Sequence, residues 1–450
     1  MNSNYLCKLL KRTTYLTNFI SVSLVVAFEY AKYLTHNTYD EFIDGVTTKL
    51  ALKNMFYVKF FQAMALNNNL IDDICNQKLM KFTDHTPWNY CDIDTHTLIE
   101  ICDTYDLRIE NNNYEKPIKS GLISLVFKAY DRKTNKSVII KLKRRGIDDK
   151  MNNAIDELLY FVDLLSFLPI IKNYNIHNIL KNATNMLLEQ TDFAHEVSNM
   201  QLITNNCSEL PYVKIPKVYT DATNEYPNAI LMEFIEGLTI NELDKSEYTN
   251  FAEQIIKFGL VTFAIHGVSH GDLHPGNILF IRDYEDDEYP YKIGVLDFGI
   301  LYKVNEDFRA AFLEIFMEMF EIPSLELSNK ILRSGVIDPP NAIDIIDEFD
   351  KNHILVLVSK IIDNVKRKAT ECNQVEIYKF ISEFTDFIKK PSIRNLGLKP
   401  SETLNKAQIV LAMTHGVTLK LCGNDYLEIT NKVTNELFHC DLLLDQNVKH

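Results

Sequence analysis

The sequence lacks a C-x-x-C pair. Its eight cysteines, Cys7, Cys75, Cys91, Cys102, Cys207, Cys372, Cys422 and Cys440, are scattered, which argues against a structural zinc site and for free, packed thiols in a reducing, intracellular compartment. An excess of positive charge is also missing. Against 61 acidic residues stand 47 basic ones, a formal net charge of −14, which disfavours general adhesion to nucleic acid or to anionic membranes. No apolar run is long enough for a complete transmembrane span. The strongest, residues 19–28, follows Lys8, Lys11 and Arg12 but is short, runs into Glu29 and Lys32, and has no clear small-residue cleavage site. It reads as a packed or membrane-surface helix rather than a signal peptide. Internal repeats and low-complexity tracts are absent too. What remains is a chain of 450 residues, enough for two or three packed units with cores of their own.

The densest signal is His270-Gly271-Asp272-Leu273-His274-Pro275-Gly276-Asn277, followed by the apolar residues 278–281 and then by Gly294-Val295-Leu296-Asp297-Phe298-Gly299. An Asp, an Asn five positions later and an Asp-Phe-Gly after two short apolar strands form the constellation with which kinase-type folds hold Mg²⁺ and a nucleoside triphosphate. The reason is charge. Mg²⁺ is a hard cation that demands oxygen ligands in near-octahedral geometry, and Asn277 and Asp297 would supply them as metal ligands. Asp272 would be the catalytic carboxylate, orienting or deprotonating the acceptor hydroxyl, because phosphoryl transfer depends on positioning and charge neutralisation. His274 stands where many protein kinases place a lysine. A lone D-x-x-x-x-N would read as a polar loop bonding its own backbone; the Asp-Phe-Gly that follows turns the reading to chemistry.

Upstream, residues 121–130 and 137–143 read as two β-branched strands around the polar turn 131–136. Lys141, after Val138-Ile139-Ile140, matches the lysine that pairs with α and β phosphates and is expected to act as both a catalytic and a nucleotide-binding residue. Taken alone it would be an edge lysine. The loop before this strand, Lys119-Ser120-Gly121-Leu122-Ile123-Ser124, has one glycine, so it lacks the repeated close backbone approaches of a G-x-G-x-x-G cover. Helices are expected over 154–168 and 176–204. The second carries Asp192-Phe193-Ala194-His195-Glu196, and Glu196 is the candidate partner of Lys141, with Glu189 as competitor. Residues 228–237 read as a buried strand entering a glycine turn, a hinge whose backbone at Glu233 and Ile235 would meet an adenine edge. Helix 251–265 should end at a Gly267 cap. The acidic run 283–288 reads as a solvated turn with no ligand role. After Asp297 there is no A-P-E; Asn305 looks like an N-cap before an apolar stripe of Phe308, Phe312, Ile315, Phe316 and Met319.

In this order of elements the chain resembles the UbiB, or AarF, family of atypical protein-kinase-like proteins. Lys59-x-x-Gln62 resembles the family's K-x-G-Q, residues 138–147 its V-A-V-K-x-x-R-P-G-I, Asp192-Phe193-x-x-Glu196 its E-x-D-F-x-x-E, and the Asp272 and Asp297 motifs its H-x-D-P-H-P-G-N and D-F-G. Phe61, Gln190 and Leu273 depart from those patterns, replacing a glycine, an acid and a proline. The resemblance implies an α+β, two-lobed protein-kinase-like fold: a helical N-terminal extension (1–105), a kinase-like N-lobe (106–236) and a mainly helical C-lobe (237–450). It further implies Lys59 and Gln62 directed into the nucleotide site, ATP with Mg²⁺ as cofactors, kinase or ATPase activity, and a lipid, isoprenoid or membrane-surface partner reached by peripheral association. Small-molecule phosphotransferases of the aminoglycoside and choline kinase type are an alternative, since Gly271-Asp272-Leu273 fits them, although they generally lack the K-x-x-Q helix. An ATP-binding adaptor with little catalysis is the other alternative.

Overall fold

A computed structural model describes residues 3–35, 38–54, 56–57, 86, 88–167, 184, 187–372 and 377–438. The chain divides into two compact units. One comprises Met1–Val197 and Lys217–Phe234; the other comprises Ser198–Pro216, which carries strand β5 (Val213–Lys214), and Ile235–His450.

The first unit opens with two helices, α1 (Ser3–Thr35) and α2 (Tyr39–Lys53). Between them Thr38 and Glu41 form a capping box, the Thr38 hydroxyl accepting from the Glu41 amide and the Glu41 carboxylate from the Thr38 amide. That reciprocal pair satisfies two of the donors that a helix start leaves open. Glu29 of α1 is buried and accepts from Lys49 of α2 and from Lys32, hydrogen bonds that hold its carboxyl below the usual range despite burial. Helix α3 (Thr95–Thr104) then leads into a five-stranded antiparallel sheet. Its strands are β1 (Leu107–Ile109), β2 (Lys119–Ser120), β3 (Ser124–Asp131), β4 (Ser137–Lys143) and β6 (Ala229–Glu233). Their order is β1-β3-β4-β6, with β2 beside β3.

The β3–β4 turn closes as its residues dictate: Asp131 Oδ1 accepts the amides of Lys133 and Thr134, and Asn135 takes the positive φ of 56° that asparagine tolerates. Leu125, Phe127, Ala129, Val138, Ile140 and Leu142 form the sheet's core with Leu98 and Ile101 of α3. Helix α4 (Ile147–Leu164) starts seven residues earlier than the apolar pattern suggests, because Gly146, left-handed at φ 66°, turns the chain directly out of β4. Its Phe161 joins Leu50 of α2 and Tyr57 in a second cluster, with Phe19 of α1 against it. The stretch expected as one helix over 176–204 is interrupted. Among its described residues the chain turns at Thr191, and α5 (Phe193–Asn206) begins afresh after Asp192.

The second unit is mainly helical. Helix α6 (Tyr248–Leu260) passes into a π turn (Val261–His266), ending at Gly267 with φ 67°. A widened turn of this kind is frequent beside functional residues, and β7 (Val268–His270) follows at once. The hairpin β8 (Ile278–Arg282) and β9 (Tyr291–Val295) carries β5 parallel to β9. Strand β10 (Leu301–Lys303) pairs with β7. Two carboxylates of the hairpin's acidic turn are paired by its own strand, Lys292 reaching Asp283 and Asp286 at 2.7 Å each. Helix α7 (Glu306–Glu318) starts where expected, the Asn305 side chain accepting from Asp307 and Phe308, and Phe308, Ile315 and Met319 are buried. Further helices include α8 (Ser324–Arg333), α9 (Glu348–Cys372), α10 (Ile377–Lys389), α11 (Glu402–Cys422) and α12 (Tyr426–Phe438). A Cβ on Gly259 of α6 would lie 2.6 Å from Thr414 of α11, so the absent side chain is what lets these two helices meet. Among the described residues Cys91, Cys102, Cys207 and Cys422 are free. Burial raises the Cys102 and Cys422 thiols to about 11 and Cys207 to about 12, which makes all three poor nucleophiles.

Candidate functional site

Lys141 lies near the middle of β4, opposite Val126 of β3 and Ile230 of β6. It is buried, and its Nζ stands 2.6 Å from Glu196 Oε1 and 5.7 Å from the centre of the Phe193 ring. The Asp-Phe-x-x-Glu spacing has a local cause. Asp192 caps α5, its Oδ1 accepting the amides of Ala194 and His195 at 3.0 and 3.1 Å. Phe193 packs with Val197 and Ile230, and one turn into the helix Glu196 meets the lysine. The carboxylate beside Lys141 is therefore Glu196.

The single-glycine loop is held by a residue to which the motif reading gave no role. Arg144 donates from Nε to the Gly121 carbonyl at 3.0 Å and from Nη2 to Ser120 Oγ at 2.8 Å and the Thr86 carbonyl at 3.3 Å. Its Nη1 reaches Asp92 Oδ2 at 3.1 Å, and Lys150 reaches the other oxygen at 2.9 Å. Burial would raise the Asp92 carboxyl, but these cations and the Asn89 amide keep it below its ordinary value. At the expected hinge one donor is already committed. The Glu233 amide donates to the Lys217 carbonyl at 2.8 Å and that of Phe234 to the Ser137 carbonyl at 3.4 Å. The Glu233 amide is thus engaged within the first unit. Ile235 is buried. Lys59 and Gln62 lie outside the described residues.

In the second unit His270 is almost fully buried. Its Nδ1 accepts the Asp272 amide at 3.1 Å, so its Nε2–H donates to the Leu296 carbonyl at 3.1 Å. Burial holds the imidazole below its usual pKa, in the neutral form this pattern requires. His274 repeats the device one turn on, Nδ1 accepting from the Gly276 amide, with Nε2 3.9 Å from Asp272 Oδ2. Asn277 is buried; its Nδ2 donates to the Asp272 carbonyl at 3.0 Å, and its own carbonyl accepts the Leu296 amide at 2.8 Å. These bonds tie the catalytic-loop motif to the strand that delivers Asp297. Asp297 has φ 59°, a left-handed value uncommon for a residue with a Cβ. Its Oδ1 accepts the Gly299 amide at 3.3 Å, and the Phe298 ring lies 5.2 Å from the His270 ring. Asn199 of α5, a position the motif reading passed over, donates from Nδ2 to the Phe298 carbonyl at 2.9 Å. The available signal was spacing: it falls three residues after Glu196, one helical turn.

No group of three or more His, Cys, Asp or Glu side chains able to hold a metal occurs among the described residues. Mg²⁺ does not require one, because it is usually held by one or two protein oxygens with the remainder from phosphates and water. The Asn277 amide oxygen and the Asp297 carboxylate fit that donor chemistry.

A kinase-like protein is the class that this fold and these motifs define. The ABC1 atypical kinase-like domain matches residues 110–328. Relatives include the chloroplastic protein ACTIVITY OF BC1 COMPLEX KINASE 8 of Arabidopsis thaliana, 25% identical over 238 residues, 50% of this chain and 30% of that protein. Another is a probable protein kinase UbiB of Shewanella woodyi, 24% identical over 325 residues, 67% of this chain and 56% of that protein. The match thus spans about a third to a half of these relatives' own length. Among solved structures, Rv3197 of Mycobacterium tuberculosis in complex with erythromycin aligns over 88% of this chain and 98% of that one, at 16% identity and a TM-score of 0.49. Rio2 kinase from Chaetomium thermophilum, in its ADP/Mg²⁺-phosphoaspartate complex, aligns over 90% and 97%, at 14% identity and a TM-score of 0.28. Residues 110–328, just under half of the chain, match the ABC1 atypical kinase-like family, and the relatives named above support the UbiB/AarF type.

Proposed function

We propose that the protein is a UbiB-like atypical kinase or ATPase that binds MgATP and transfers or hydrolyses its γ-phosphate, acting on or with a lipid or isoprenoid partner. The observation that carries this reading is the buried Lys141–Glu196 pair, 2.6 Å apart. A charged pair withdrawn from water contributes little net stability, whereas an ammonium held rigid by a carboxylate is what the α and β phosphates of a nucleotide need.

In this reading Lys141 binds those phosphates and Glu196 fixes its position. Asn277 and Asp297 hold Mg²⁺, which neutralises charge on the transferring phosphoryl group. Asp272 takes the hydrogen bond, and finally the proton, of the acceptor hydroxyl or water. His274, with Nδ1 bonded to a backbone amide, turns Nε2 toward Asp272, 3.9 Å away and beyond direct hydrogen-bond range. Lys59 and Gln62 are assigned to the nucleotide on family resemblance. The small-molecule phosphotransferase alternative leaned on Gly271, but packing accounts for that glycine, since a Cβ there would run into Ile300 and Tyr302. The lipid partner is supported by α1, where Leu16, Ile20, Leu24 and Phe28 recur every four residues and are exposed.

The test is thermal stabilisation and nucleotide turnover with MgATP, comparing wild type with Lys141→Ala and Asp297→Asn. A ligand at 100 times its Kd stabilises by about 2.7 kcal/mol, so wild type should gain several degrees and both variants little. Stabilisation without turnover would favour the adaptor. No stabilisation of the wild type would end the nucleotide reading.

A further inference from the structure

We propose that Asn199 is a positioning residue of the metal site, holding Asp297 in the pose that receives Mg²⁺; the inference rests on the MgATP reading above. Asp297 occupies left-handed backbone at φ 59°, a conformation that a residue with a Cβ keeps only where its surroundings over-determine it. The surroundings can be named. The carbonyl before Asp297, that of Leu296, accepts from His270 Nε2 at 3.1 Å. The Phe298 carbonyl, one peptide unit beyond that which leaves Asp297 and in the same unit as the Gly299 amide, accepts from Asn199 Nδ2 at 2.9 Å. His270 thus holds the peptide that enters Asp297, and Asn199 holds the Phe298–Gly299 peptide, whose N–H in turn donates to the Asp297 carboxylate at 3.3 Å.

The two clamps differ in origin. His270 belongs to the catalytic-loop motif itself, whereas Asn199 comes from α5, far away in sequence. Asn199 is buried, and a buried amide aimed at a backbone carbonyl is a specific device, because no apolar residue of that size donates a hydrogen bond. Its place in the mechanism is indirect: it touches neither phosphate nor metal, and acts through the Phe298–Gly299 peptide, whose N–H bonds the metal-binding carboxylate. Partners of this indirect kind typically change metal affinity by 10–100-fold when removed.

The experiment uses the full chain and four proteins: wild type, Asn199→Asp, Asn199→Leu and Asn199→Gln. Asp keeps the shape but replaces the donor with a charged acceptor, Leu removes the donor without adding charge, and Gln retains an amide. Thermal stabilisation by ADP is measured across a Mg²⁺ titration and again in EDTA, beside the kcat and KM for ATP. The Asp and Leu variants should need about tenfold more Mg²⁺ for half the gain, should match wild type in EDTA, and should lose kcat more than they raise KM; Gln should recover part of the loss. A purely structural Asn199 would lower the unfolding temperature without moving the Mg²⁺ midpoint, and that result overturns the inference while leaving the nucleotide reading intact. If Asn199→Asp does not fold, the Leu variant decides, and if both fail, the Mg²⁺ midpoint of the Gln variant decides: a rise of at least twofold supports the inference and an unchanged midpoint overturns it. A wild type with no Mg²⁺-dependent gain removes the nucleotide reading and this inference with it.

Discussion

A lysine and a glutamate nearly out of water form a pair that tolerates being kept or removed together but not being broken. Glu196→Ala leaves the Lys141 ammonium buried beside the Phe193 ring, and is expected to cost about 3–5 kcal/mol. In a cycle of wild type, Lys141→Met, Glu196→Leu and the double variant, the double should lose distinctly less than the sum of those two single changes. Urea denaturation of the four proteins checks this, and additive losses would remove the pair from the account. His270 makes a second residue-scale prediction. Burial depresses its folded-state pKa below the unfolded value of about 6.5. The unfolded chain therefore binds the extra proton first, so the contribution is fully present above pH about 6.5 and is lost as pH falls through and below that value toward the folded pKa. His266, also depressed by burial, adds to the same slope. Unfolding free energy should fall between pH 6.5 and 5 in wild type and less steeply in His270→Gln. Lys141 and the Asp272, Asn277 and Asp297 set stood out in the sequence because their types and spacing are chemical requirements. Arg144 and Asn199 did not, because Asn199 bonds a backbone carbonyl, which leaves no mark on side-chain pattern, and Arg144 bonds two carbonyls and two side chains distant in sequence.

The elements are fixed by local devices whose removal has a defined cost. Asp192 stops the preceding turn and starts α5 by taking two amides. Asp192→Ala should destabilise by about 1 kcal/mol and, by fraying the turn that holds Glu196, weaken nucleotide binding; a stability loss with unchanged MgATP affinity would separate the cap from the site. Where α6 meets α11 the constraint is volume. Gly259→Leu forces a side chain into Thr414 and should cost about 1–3 kcal/mol, as overpacking does. The apolar pattern over 176–204 suggested one continuous helix, whereas α5 begins after Asp192. Periodicity survives such a break, because a capped turn shifts phase by little; the cap shows only when the aspartate is seen to bond Ala194 and His195. Helix α6 and Gly267 were legible to within a few residues, but the π turn between them was not, since it depends on how the last turn packs.

For the whole molecule, the net charge of −14 and the exposed apolar face of α1 pull in opposite directions at a membrane. No helix among the described residues is long and apolar enough to cross one, so α1 is the surface to test. Flotation with neutral and with anionic vesicles should recover the wild-type protein, and Leu16→Glu with Leu24→Glu should abolish recovery while leaving MgATP stabilisation unchanged; equal flotation would remove α1 from the lipid reading. At this scale the division between sequence and structure is plain. The sequence by itself determined the α+β kinase-like class, the proposed set of Lys141, Asp272, Asn277 and Asp297, and the turns that begin with a capping side chain, because a hard cation, a triphosphate and an open amide would each demand a particular residue type at a particular spacing. Tertiary structure decided that Glu196 rather than Glu189 meets Lys141, that the Glu233 amide bonds Lys217, that Arg144 secures the single-glycine loop, and that Asn199 holds the Phe298–Gly299 peptide beside Asp297. Those choices depend on which atoms distant in sequence come within 3 Å of one another, and spacing along a chain does not encode that distance.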